Sequence, residues 1–106
     1  MAILPTENSK LLNSLFANIP ITKIDGDDIY FTEENFKKIL DRCEQEGHGV
    51  FGIEAWIDDF MDLCETCEAY NLSANDPRWY RKAFDKLRLD GLNKLYFGTF
   101  GINVIE

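Results

Sequence analysis

Hydrophobic positions recur at helical spacing along much of the chain. Leu11, Leu12, Leu15 and Phe16 keep that spacing over residues 6–18, Thr6 is placed to cap, and Pro20 ends the run, which predicts a first helix. Thr32 opens a second, followed by Glu33 and Glu34 where the helix dipole favours carboxylates; Phe36, Ile39, Leu40 and Cys43 share one face, and Gly47 and Gly49 end it. The clearest pattern spans residues 53–70. At 100° per residue, Ile53, Trp56, Ile57, Phe60, Leu63, Cys64 and Cys67 fall within an arc of roughly 120°. Glu54, Asp58, Asp62, Glu65 and Glu68 take the opposite side, so the spacing predicts a long amphipathic helix. A strand over residues 50–57 competes for the start of this segment, which is rich in strand formers. Asn75-Asp76-Pro77 then supplies a cap with proline at the first helical position. It starts a helix to residue 89 that turns Trp79, Tyr80, Ala83, Phe84 and Leu87 inward, and Asp90-Gly91 ends it.

Two stretches read as strand instead. Residues 21–24 and 29–31 flank Asp25-Gly26-Asp27, a turn sequence that supplies positive φ between two short strands. Residues 95–105 are rich in β-branched and aromatic side chains and form one bent strand, with glycines marking a bulge or the close approach of another backbone. The expected architecture is α+β: about four helices with a small antiparallel sheet made of the N-terminal hairpin and the C-terminal strand. No repeat, low-complexity tract or linker divides residues 1–106, so a single compact domain is expected.

Composition narrows the class. Eight Phe, four Tyr and two Trp in 106 residues supply more burial than a disordered acidic tail carries. No apolar run approaches the roughly 20 residues that span a bilayer, and Met1-Ala2-Ile3-Leu4-Pro5 does not read as a signal-peptide core. Cys43, Cys64 and Cys67 are an odd set without framework spacing, which points to a reducing, cytoplasmic setting. A net charge of −8 repels nucleic acid and anionic membranes, so direct binding to either is not expected.

Little in the chain asks for catalysis or a cofactor. Cys64-Glu65-Thr66-Cys67 has metal-ligand spacing, and Cys43 and His48 would complete four donors, but on a helix both sulfurs fall on the apolar face and pack as small hydrophobes. Nearby Asp62, Glu65 and Glu68 also disfavour a reactive thiolate. Asp25-Gly26-Asp27-Asp28 is not a calcium loop, because Ile29 and Tyr30 stand where oxygen ligands and glycine are needed. His48 has no nucleophile motif beside it, and Gly47, Gly49 and Gly52 lack the spacing and the basic residue of a phosphate loop. No metal and no cofactor are expected.

Charge distribution carries more information. Residues 1–75 hold 5 Lys/Arg against 15 Asp/Glu, while residues 76–106 hold 6 against 4. On a helix, Glu54, Asp58, Asp62 and Glu65 step along one face with no cation between Arg42 and Arg78. Such a ridge repels itself by a few tenths of a kcal/mol per pair. It reads either as a solvated face, neutralised by Arg78, Arg81, Lys82 or Lys86, or as a surface that docks on a basic groove. Trp79, Tyr80 and Tyr96 are the candidate aromatic anchors of such an interface; Trp79 and Tyr80 also fit the inner face of their helix.

One family fits these residues. A short acidic chain in which Gly-Val-Phe-Gly-Ile-Glu-Ala-Trp (49–56) precedes Asp76-Pro77-Arg78-Trp79-Tyr80, and Leu95-Tyr96-Phe97-Gly98 closes the domain, resembles the small acidic immunity proteins of bacterial polymorphic-toxin and contact-dependent growth inhibition systems. The resemblance implies a non-enzymatic cytoplasmic inhibitor, expected as a monomer, that binds one cognate toxin, often a nuclease. Phage-encoded inhibitors of host defence nucleases, of the anti-CRISPR or anti-restriction type, share the composition. A small enzyme using converging carboxylates is the remaining alternative.

Overall fold

The computed structural model describes residues 14–26 and 28–101. Strand β1 (Lys23–Asp25) turns through Gly26, at φ 62°, into β2 (Asp28–Thr32), the hairpin that the turn sequence predicts. Helix α1 (Glu33–Glu46) starts where the Thr32 hydroxyl accepts from the Asn35 amide and stops at left-handed Gly47, at φ 73°. Helix α2 (Pro77–Leu87) is capped by the Asp76 carboxylate, which accepts from the Arg78 amide. Of the helix expected over 6–18, only the end lies within the described residues: 14–15 are helical and Asn18, at φ 63°, closes the turn.

The long helix expected over residues 53–70 does not form. That segment is β3 (Gly49–Ile57), β4 (Phe60–Thr66) and a short 3-10 turn over Cys67–Tyr70. Asp58 and Asp59 make the connection, with Asp58 in the left-handed region at φ 53°, a conformation that Asp tolerates better than most residues. Strand β5 (Leu95–Gly101) then inserts between β2 and β3. The result is a five-stranded antiparallel sheet of order β1-β2-β5-β3-β4, with two full helices among the described residues. This corrects the expected four helices and small sheet: the fold is α+β, but the sheet is its largest element.

Both helices lie on one face of the sheet. Phe36 of α1 and Phe84 of α2 each pack on Tyr96 of β5, with ring centroids 5.7 and 5.2 Å apart. Phe31, Ile53 and Ala55 complete the sheet side of this core; Ile39, Leu40 and Cys43 join from α1, and Trp79, Tyr80, Ala83 and Leu87 from α2. Each Leu, Ile or Phe among them contributes about 1.5–3 kcal/mol on full burial. Gly98 sits two residues before Phe100 on that face, and a Cβ there would collide with the Phe100 ring.

Strand alternation decides what the opposite face carries. With Phe31 and Tyr96 turned to the helices, Tyr30, Thr32, Leu95 and Phe97 must point the other way, and their cross-strand partners follow them. Leu95 pairs with Trp56, Phe97 with Glu54 and Tyr30 with Lys23. Among the described residues no helix covers this outer face.

Candidate functional site

The outer face is built in rows across the strands. One row runs Thr32, Leu95, Trp56 and Met61; the next runs Lys23, Tyr30, Phe97, Glu54 and Cys64. Tyr30 sits at the centre, its ring 5.7 Å from both Trp56, edge-on, and Phe97. The Trp56 Nε1–H donates to Glu54 Oε1 at 2.9 Å, which fixes the indole and its neighbouring carboxylate together. Aromatic residues on the uncovered side of an antiparallel sheet depart from the usual polar pattern.

Carboxylates surround these rings. Asp25 and Asp28 flank the β1–β2 turn, Glu54 lies in the second row, and Asp58 and Asp59 form the β3–β4 turn. Burial pushes the Tyr30 phenol up, and Asp28, Asp25 and Glu54 push it further, which reports their field at the centre of the face. Lys23 is the cation in this ring of acids. Its ammonium lies 5.6 Å from the Tyr30 centroid and donates to Asp59 Oδ1 at 3.0 Å, and that hydrogen bond holds the Lys23 pKa above its ordinary value.

A hollow of about 270 Å³ opens at the end of the first row. Thr32, Leu95 and Trp56 form its sheet side, Asp58 enters from the hairpin turn, and Glu33, Asn93 and Lys94 close it from the start of α1 and the loop before β5. Lys94 brings no free charge to this space. Its ammonium is fully buried and donates to Asp62 Oδ2 and Asp90 Oδ2, each at 2.9 Å, and to the Leu87 carbonyl at 2.6 Å. Burial works against that charge, but the two carboxylates outweigh it and the Lys94 pKa is raised.

The acidic ridge read from the sequence is therefore taken apart. Glu54 belongs to the outer face and Asp58 to the turn at its end. Asp62, displaced by a bulge opposite the Ala55/Trp56 step, reaches back to Lys94. Glu65 pairs across from Ile53 on the helix side and binds Lys86 of α2 at 2.9 Å. Intramolecular cations thus occupy two of the four carboxylates. The three aromatic anchors are corrected as well: Trp79, Tyr80 and Tyr96 are each 0% exposed and belong to the core under the helices. Among the described residues the Tyr80 and Tyr96 hydroxyls have no hydrogen-bond partner, and their rings pack against Trp79, Phe36 and Phe84.

The cysteines also separate. Cys64 is exposed on β4 rather than packed with Cys67, which is buried at the start of the 3-10 turn; Cys43 is buried under α1, where desolvation pushes its thiol up to about 12. Among the described residues no three His, Cys, Asp or Glu side chains are grouped to hold a metal ion, and no helix is long and apolar enough to cross a membrane.

Sequence reasoning missed Tyr30, Trp56, Phe97, Glu33 and Asp59 as a site. The usable signal was the competing strand over 50–57, because alternation there puts Glu54 and Trp56 on one face together. Searches against protein-family models, curated proteins and solved structures find no match to the chain.

Proposed function

We propose that the chain is a non-enzymatic inhibitor of immunity type, which binds a cognate protein toxin with a basic surface, most simply a nuclease, and neutralises it. The carrying observation is the one-sided sheet. Helices cover one face, while the other presents half-buried Trp56 and Phe97 packed against a buried Tyr30, with Asp25, Asp28, Glu54 and Asp58 around them. Rings supply contact area at low entropic cost, and the carboxylates, backed by a net charge of −8, steer a cationic partner onto them. Docking is assigned to this face and not to Asp62 and Glu65, whose charges Lys94 and Lys86 already answer.

The test is capture of a protein by the intact chain, followed by titration of that protein's activity. Inhibition should be complete at one chain per partner, and association should slow on the order of tenfold as salt rises from 0.05 to 0.5 M. The double variant Asp25→Lys, Asp28→Lys changes two exposed residues beside a turn; it should keep the wild-type melting temperature and slow association by a similar factor. A captured protein that keeps full activity in the complex, or an isolated chain that turns over a substrate, would refute the inhibitor reading.

A further inference from the structure

The hollow at the end of the outer face has the chemistry of a receptor for one cationic side chain. Trp56 belongs to its sheet side, and two acids line it, Asp58 from the β3–β4 turn and Glu33 from the start of α1. Thr32 and Asn93 add polar residues to the lining, and about 270 Å³ is room for one arginine or lysine side chain. Among the described residues neither acid is saturated: Asp58 has no ion-pair partner there, and Glu33 meets Arg88 only at 3.9 Å while that guanidinium is bound to Asp85 at 2.6 Å. The positive charge of Lys94, which also lines the hollow, is already answered by Asp62 and Asp90.

The same face supplies its own precedent. One row away, the Lys23 ammonium rests against the Tyr30 ring and an Asp59 oxygen, so an aromatic ring with a turn carboxylate already holds a cation there. Trp56 and Asp58 line the hollow together, and among the described residues no cation pairs with Asp58. A planar guanidinium fits better than an ammonium, because it can lie on the indole while its edges donate to Asp58 and Glu33.

We propose that this hollow, formed by Trp56, Asp58, Glu33, Thr32 and Asn93, receives an arginine side chain projecting from the protein partner. The inference rests on the inhibitor reading for the source of the arginine, but the site can be tested on the intact chain alone.

The probe is N-acetyl-arginine amide, with N-acetyl-citrulline amide as the uncharged control, titrated against the labelled chain and followed by nuclear magnetic resonance. The arginine derivative should shift the Trp56 indole N–H and the Asn93 amide along saturable curves in the millimolar range. Citrulline should bind at least tenfold more weakly. Asp58→Asn, which retains a residue tolerant of positive φ, combined with Glu33→Gln, should weaken arginine binding at least tenfold. Asp25→Asn removes one charge outside the hollow and should change it less than twofold. Absence of a saturable shift, equal binding of citrulline, or an equal loss in Asp25→Asn would overturn the site. Failure here is distinct from failure of the inhibitor reading. If a captured toxin is inhibited equally by wild type and Asp58→Asn, the hollow is wrong and the inhibitor stands. If arginine binds as stated but the captured protein stays active in the complex, the hollow stands and the inhibitor reading falls.

Discussion

Replacing Trp79 with alanine should destabilise the chain by about 3–5 kcal/mol, the range for deleting a buried aromatic from a packed core. Trp79 is 0% exposed, its ring lies 5.7 Å from Tyr70 and 6.2 Å from Tyr80, and its Nε1–H donates to the Ala74 carbonyl at 3.3 Å. Alanine would leave a cavity between α2 and the 3-10 turn and remove one of the donors to that carbonyl, which also accepts from the Val50 amide at 2.8 Å. Against a total stability of roughly 5–15 kcal/mol, the loss takes a large share of the folded population. Molecules that remain folded should bind a partner as wild type does. Denaturant titration measures the first effect, and affinity corrected for the folded fraction measures the second. A stable Trp79→Ala chain with lost affinity would return Trp79 to the interface.

Lys94→Met should cost about 2–3 kcal/mol, which for a chain of this length lowers the melting temperature on the order of 10 °C. Methionine keeps the stem packed but removes three donors at once: those to Asp62, Asp90 and the Leu87 carbonyl at the C-terminal end of α2. The expected cost sits below the full penalty for breaking a buried pair because Asp62 and Asp90 retain partial access to water. The pH dependence has two limits. Because the folded Lys94 pKa is raised, its contribution is complete below the ordinary lysine value and is lost as pH climbs through the folded value. Asp90 is held low, chiefly by its hydrogen bond from Lys94, so its share is complete above the ordinary aspartate value and is lost as pH falls through the depressed one. The stability difference between wild type and Lys94→Met should therefore be flat across neutral pH and narrow at both extremes. A difference below about 0.5 kcal/mol at neutral pH, the range of ordinary surface changes, would mean that the clasp does not hold β4 to the end of α2.

Local chemistry made part of the fold legible. Thr32, Asp76-Pro77 and Gly47 carry the limits of α1 and α2 in single residues, and Asp25-Gly26 carries the first hairpin. The segment from residue 53 to 70 was not legible in the same way. Ile53, Trp56, Ile57, Phe60, Leu63 and Cys64 satisfy helical spacing while also belonging to a hairpin in which Ile53 and Ala55 face the core and Glu54 and Trp56 face out. A bulge opposite Ala55/Trp56 and the Asp58-Asp59 turn break the alternation that would have marked two strands. The deciding interaction is not local: β5, some forty residues later, pairs with β3 along its length. The site inherited that error, because one wrong period placed Asp62 and Glu65 beside Glu54 and Asp58 when their side chains answer lysines on the helix side.

The outer face exists only where this hairpin forms, and backbone nuclear magnetic resonance of residues 53–66 tests the hairpin most directly. Carbon secondary shifts of strand sign should run through β3 and β4, with cross-strand contacts joining Glu54 to Cys64 and Ala55 to Leu63 and a reversal of direction at Asp58-Asp59. Continuous helical shifts with contacts between residues three apart would contradict the hairpin; they would restore the acidic ridge and remove the aromatic face.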